Sequence, residues 1–350
     1  MLPWLNEYPD GDKAVLLKEG FQVRFKIPAK DGGRTHTVES RVEEFILLGF
    51  SERKHLSSFL FALFFIIYLL TLIGNFFVFL TILCVTKLHK PMYFFLSNLS
   101  FIDICYTNVT LPQSLLQILK TSKKVLFAKC ITQLFFLQFF FGTEWFLLAI
   151  MAYDRYLAIC NPLRYSTIMC QKVCSYLAAG IWFCGFINSL FNTLLVARLS
   201  FCGPNVINHF SCDIPPLLKL SCSNTLSNEV TVFLIGLFFG VSSGLLTLFS
   251  YVKIIGTVLS IQTVDGRQKV FSTCASHITC VCLFYTTATF RYMRPQSIYS
   301  MDMEDKIVSV LYSIITPFLN PIIYTLRNKE VISVVKKLLC RKVWIHPSHS

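Results

Sequence analysis

Seven separate stretches of this chain are each long and apolar enough to cross a bilayer's hydrocarbon core. That core is roughly 30 Å thick and takes about 20 helical residues to span. The stretches lie near residues 57–85, 92–119, 126–150, 173–196, 230–255, 271–290 and 307–326. In lipid each backbone polar group must be satisfied within its own segment, so stretches like these fold as helices. Composition agrees: 54% of the 350 residues are hydrophobic and only 15% are charged, against about 25% charged in soluble domains. The expected fold class is all-α, a seven-transmembrane-helix bundle over residues 45–326. A tail at 1–44 precedes it and a tail at 327–350 follows.

An odd number of spans puts the termini on opposite sides. Lys and Arg are more numerous in the segments holding Lys87, Arg164, Lys172, Lys253 and the C-terminal tail than in the alternate loops. That bias predicts an extracellular N-terminus and a cytoplasmic C-terminus. Residues 1–44 mix charges with turn signals such as "PDGD" and "KDGG" and hold no signal-peptide core, so a poorly ordered extracellular extension is expected. The net charge of +13 does not indicate a nucleic-acid partner. The basic residues are scattered between apolar spans, with no basic, aromatic-rich surface among them.

Charges inside a span are costly and usually functional. Asp103 and Glu144 sit near the middle of the second and third spans. Two acids facing each other in a bundle hold a cation or share a proton. An internal sodium ion is therefore the one cofactor-like occupant expected, with a purely structural polar network as the alternative. No metal centre is expected. His209 and Cys212, and Cys274, His277 and Cys280, recur at three-residue spacing that a metal can use, but packed helix interior accounts better for the second set.

The third span carries its own ruler. Cys130 and Arg155 are separated by about 37 Å of helix, more than the hydrocarbon thickness, so they lie near opposite membrane faces. Glu144 precedes Arg155 by close to three turns and points the same way. The span ends in "MAYDRYLAIC", which sets Asp154, Arg155 and Tyr156 side by side. An ion pair at the aqueous end of a bundle suits a two-state switch; a plain membrane anchor is the alternative. The last span ends "NPIIYTLRNKEV". Pro321 removes a backbone donor and should kink the helix, Asn320 is expected to compensate the freed groups, and Tyr324 follows one turn on. Beyond it, basic and apolar residues alternate at the spacing of a short helix lying on the inner membrane surface.

Six stretches taken together resemble the olfactory (odorant) receptor family of rhodopsin-like G-protein-coupled receptors. They are "EFILLGFS" (44–51), "LHKPMYFFLSNLSFID" (88–103), "GTEWFLLAIMAYDRYLAICNPLRY" (142–165), "INHFSCDIPPLLKLSC" (207–222), "FSTCASHITCVCLFY" (271–285) and "LNPIIYTLRNKEV" (319–331). The resemblance covers about residues 43–338. It implies that Asp154, Arg155 and Tyr156 form the switch, that Tyr251, His277 and Tyr324 rearrange around it, and that Arg267 and Lys269 lie beside the G-protein surface. It implies disulfides Cys130–Cys212 and Cys202–Cys222, which an oxidising exterior permits. It further implies coupling to a heterotrimeric stimulatory G protein, a rise in cyclic AMP, and residence in the plasma membrane.

Helical spacing puts Leu134, Leu137, Gln138 and Phe141 on one face of the outer third span. By the resemblance, Ile235, Phe239, Tyr285, Ala288 and Tyr292 face them. This apolar lining with a few hydroxyls and amides suits a small, mostly apolar volatile odorant. No carboxylate lies on the outer half of that face, which argues against an amine ligand. No nucleophile, base and orienting group converge, so no enzyme is expected. The chain departs from the family in two ways. It has no Asn-x-Ser/Thr site before Asn75, the sequons at Asn98 and Asn108 lying in the second span, so export chaperones are expected partners; and Thr286 stands where the family has Gly. A same-family receptor for another metabolite is the nearer alternative. A proton-coupled transporter using Asp103 and Glu144 is the more distant one, and the paired repeats of such proteins are missing from the sequence.

Overall fold

The computed structural model describes residues 15–19, 22–26, 42–50, 54–119, 123–201, 205–292 and 302–326. Its long helices are α1 (Lys54–Cys84), α2 (Pro91–Ile118), α3 (Phe127–Cys160), α5 (Gln171–Ala197), α7 (Leu226–Ser260) and α8 (Val264–Tyr292). The last helix runs through α9 (Asp302–Val310), a π-helical stretch (Leu311–Ile315) and α10 (Thr316–Leu326). Short helices α4 (Pro162–Ile168) and α6 (Ile214–Lys219) lie in connecting segments.

Among the described residues, five segments are long and apolar enough to cross a membrane: Ser57–Cys84, Phe127–Cys160, Gln171–Ala197, Leu226–Ser260 and Glu304–Tyr324. The α2 and α8 helices have the length but are not among these five. The α2 helix carries Asp103, Gln113, Ser114 and Gln117, all buried; it spends its polar side chains on neighbours inside the bundle. The first turns of α8 hold Asp265, Arg267 and Lys269.

The bundle is apolar outside as well as in. Phe59, Ile73, Phe183, Phe238 and Leu245 are exposed, on α1, α5 and α7. A soluble monomer does not expose contiguous apolar surface on this scale; a helix facing lipid does. The α3 helix is the axis of the fold. It packs against α2, α5, α7 and α8, and 72% of its apolar window is buried, against 22% for α1 and 11% for α7. Gly185 of α5 lets those two backbones meet. A Cβ there would lie 2.2 Å from Thr143 Oγ1 and 3.0 Å from the Phe139 carbonyl oxygen.

The structure adds strands that an all-α reading leaves out. Strand β3 (Glu44–Leu47) pairs antiparallel with β4 (Lys124–Leu126) and parallel with β5 (Val206–Ile207). The inward residues Phe45 and Leu47 are fully buried, and Phe45 packs edge-on to Phe201. This sheet ties the segment entering α1 to the loop that follows α5. Within the tail expected to be poorly ordered, β1 (Val15–Glu19) and β2 (Gln22–Lys26) form an antiparallel hairpin. The surface helix expected after residue 326 lies outside the described residues.

Candidate functional site

At the C-terminal end of α3, Asp154 is buried and accepts a hydrogen bond of 2.8 Å from Tyr165 Oη of α4. Burial and the adjoining carboxylate raise the Tyr165 phenol, so it remains a donor. Arg155 lies within electrostatic reach of Asp154, but the close partner of the carboxylate is Tyr165. Arg155 lies within electrostatic reach of Tyr251, Cys274, His277 and Tyr324. The Tyr251 hydroxyl and His277 Nδ1 are 2.6 Å apart and join α7 to α8. Tyr156 receives a 3.3 Å hydrogen bond from Asn161 Nδ2. Arg267 is exposed and donates to the carbonyls of Ile261 and Leu259, which close the end of α7. The Lys269 side chain lies outside the described residues.

In mid-bundle, Asp103 accepts from Asn320 Nδ2 at 3.0 and 3.2 Å. Asp103 and Glu144 are both buried and within electrostatic reach of each other. Asn320 Oδ1 is buried without a hydrogen-bond partner. The donor set is all oxygen, which suits a hard cation. With its amide committed to Asp103, Asn320 does not do what the sequence suggested for it. Pro321 has no N–H, so the carbonyl four residues back, on Pro317, loses its helical donor. Asn75 Nδ2 of α1 supplies that donor at 3.0 Å. Gly74 makes the approach possible, since a Cβ there would lie 3.2 Å from Pro321 Cγ.

At the opposite end of α3, Cys130 and Cys212 form a disulfide, which brings the loop after α5 down onto α3. Cys222 is also disulfide-bonded; its expected partner, Cys202, lies outside the described residues. With Cys212 committed to sulfur, the metal reading of His209 and Cys212 fails. His209 Nδ1 lies 3.1 Å from both the Ser211 backbone nitrogen and its carbonyl oxygen, and Nε2 lies 3.0 Å from Ser309 Oγ. Burial, reinforced by the Arg291 charge, pushes this imidazole well below its usual range.

Asp213 next to the disulfide is the hub of this end. It caps α6 through Ile214 N at 2.7 Å and accepts from Gln138 Nε2 of α3 at 3.0 Å. It also accepts from Tyr312 Oη at 3.1 Å and from Arg291 Nη2 of α8 at 3.1 Å. Asp213 and Arg291 are each 1% exposed. Arg291 stands just beyond the apolar run read at 271–290. That place was the one signal that it belongs inside.

Beneath this hub a cavity lies between α3, α5 and α7, roofed by Ile214. Gln138, Phe141, Ile235 and Phe239 line it as expected. Leu134 and Leu137 are instead buried in the surrounding apolar packing. Ala288 packs in the same core, and Tyr285 lies against Trp145. The Tyr292 side chain lies outside the described residues. The sequence reading missed Trp145, Asn188 and Asn192, which also line the cavity. The spacing of Asn188 and Asn192, one turn apart in an apolar helix, was the available signal. About 30 Å³ of the cavity is open to the centre of a water molecule, room for one or two waters. A ligand must therefore spread the walls.

The family model described as "Olfactory receptor" matches residues 64–342 of this chain. "Olfactory receptor 5AP2" of Mus musculus is 48% identical over 300 residues, covering 86% of this chain and 94% of its own length. "Olfactory receptor 6Y1" of Homo sapiens is 47% identical over 307 residues, covering 87% and 93%. "Olfactory receptor 4E2" of Mus musculus is 46% identical over 312 residues, covering 87% and 98%.

Proposed function

The chain belongs to the olfactory receptor family, and we propose that it is an odorant receptor of seven spans. In this reading a small, mostly apolar volatile ligand enters the cavity between α3, α5 and α7. Its occupancy is passed along α3 to the Arg155 end, where a stimulatory, olfactory-type G protein binds and cyclic AMP rises. The observation that carries the reading is the arrangement of α3 itself. One buried helix has the small cavity along one half and, at its far end, Arg155 within electrostatic reach of Tyr251, His277 and Tyr324.

Asp154 with Tyr165 as its close partner supports a switch whose two states differ in the partners of a few polar groups. The N-terminus is extracellular and the C-terminus cytoplasmic in this reading, which accords with the outer disulfide. Asp103, Glu144 and Asn320 would hold an internal sodium ion. Two buried carboxylates are poorly stabilised without such a countercharge. Asn98 and Asn108 accept hydrogen bonds from Trp182 and Tyr68 on neighbouring helices. They are poor glycosylation acceptors there, so export depends on chaperones and surrounding lipid.

The test is cyclic AMP in cells co-expressing the chain, an olfactory-type stimulatory G protein and export chaperones, challenged with a broad odorant panel while surface receptor is labelled. A ligand-dependent rise supports the reading. Silence across the panel with abundant surface receptor contradicts it.

A further inference from the structure

The cavity between α3, α5 and α7 has two lining residues with a buried polar atom that no protein group pairs. Asn192 Oδ1 and Trp145 Nε1 both lack a hydrogen-bond partner. The sense of the Asn192 amide is fixed by its neighbour one turn back. Its Nδ2 donates to the backbone carbonyl of Asn188 at 3.1 Å and to Asn188 Oδ1 at 2.9 Å. Turning the amide over would set its oxygen against that carbonyl, an acceptor with no proton to offer. The unpaired atom is therefore an acceptor, and only a donor can satisfy it. Trp145 is the complement, since an indole N–H donates only and any ligand oxygen can accept from it.

The two groups make different demands on a ligand. Trp145 does not tell an alcohol from an ether or an aldehyde; Asn192 does. We propose that the ligand of this cavity carries a hydroxyl and donates it to Asn192 Oδ1, so that the chain selects alcohols over ethers and aldehydes of the same size. This rests on the odorant-receptor reading and adds the ligand's chemical class to it. The physical basis is that a buried polar group left unpaired counts against a ligand more strongly than apolar shape favours it. Of the remaining lining, Gln138 is engaged with Asp213 and Asn188 with Asn192, while Phe141, Ile235, Phe239 and Val232 are apolar and grip a hydrocarbon chain without preference for its oxygen.

The experiment uses two isomers, octan-1-ol and heptyl methyl ether, with octanal as a third probe. Binding is read from the thermal unfolding of the purified full-length chain, in the native form and as Asn192→Leu. The native chain should bind octan-1-ol about tenfold more tightly than the ether, the worth of one hydrogen bond, with octanal level with the ether. In Asn192→Leu the isomers should bind alike. Equal binding of the two isomers by the native chain would overturn the proposal, because oxygen would then be read only as an acceptor. A preference that survives in Asn192→Leu would overturn it too. If neither isomer shifts unfolding, the proposal falls together with the cavity reading it rests on; equal shifts sink the proposal alone.

Discussion

Replacing Arg291 with methionine should be among the most damaging single changes at the outer end of this chain. Arg291 and Asp213 are each 1% exposed and meet at 3.1 Å. Methionine fills much of the arginine stem's volume, so packing changes little. What changes is that the buried Asp213 carboxylate loses the guanidinium while keeping its hydrogen bonds from Gln138, Tyr312 and the Ile214 N–H. Removing one partner of a buried pair costs about 3–5 kcal/mol, chiefly because the other charge is stranded. For a chain of this size that is a fall of roughly 10 °C in unfolding temperature. The rescue is the informative part. Asp213→Asn on the Arg291→Met background removes the stranded charge and keeps an oxygen for Gln138 and Ile214. The double variant should regain more than half of the lost stability. Unfolding of the purified protein in detergent, followed by intrinsic fluorescence, measures all three. A single-variant loss of under about 1 kcal/mol would put the pair in the class of exposed ion pairs and refute the argument. A double variant no better than Arg291→Met would refute it as well.

Gly185→Ala should lower stability by about 1–3 kcal/mol, because its Cβ would lie 2.2 Å from Thr143 Oγ1. Adding Thr143→Ala should recover only part of that, since the Phe139 carbonyl remains 3.0 Å away; full recovery in thermal unfolding would show that backbone approach is not the constraint. Acidification should loosen the outer end through His209. Its folded pKa lies below the unfolded value of about 6.5, so the unfolded chain takes the proton first. The stability His209 contributes is complete above that pH and is lost as pH falls below it. Arg291, Lys219 and Lys306 around it oppose protonation further. Unfolding temperature should drop between about pH 7.5 and 5.5 and drop less in His209→Gln; identical pH profiles would contradict the assignment.

The helices were legible in the sequence because lipid leaves a chain few options. The first two spans, read at 57–85 and 92–119, correspond to Lys54–Cys84 and Pro91–Ile118. The third was read as ending at residue 150 and runs to Cys160. Hydropathy marks where hydrocarbon ends, while the helix continues into polar surroundings as long as its backbone bonds are made. The disulfide at Cys130 and the grouping around Arg155 came from the resemblance to the olfactory receptor family, not from spacing. Side-chain partners between distant elements did not. Nothing in the sequence says that Asn75, rather than Asn320, serves the carbonyl freed by Pro321, or that Arg291 turns inward to Asp213. These choices depend on which helices meet, and periodicity fixes a residue's face without naming the neighbour. The cavity shows the same limit. The expected α3 face supplied Gln138 and Phe141, but α5 was overlooked because its two asparagines look like surface polarity in a one-dimensional reading.

The measurement that tests the central claim most directly is Arg155→Ala, with ligand binding and cyclic AMP read on the same cells. If α3 carries occupancy from the cavity to a G protein at its far end, the variant should bind an activating odorant about as well as the native chain and raise no cyclic AMP. A full cyclic AMP response from Arg155→Ala at matched surface level would contradict the account.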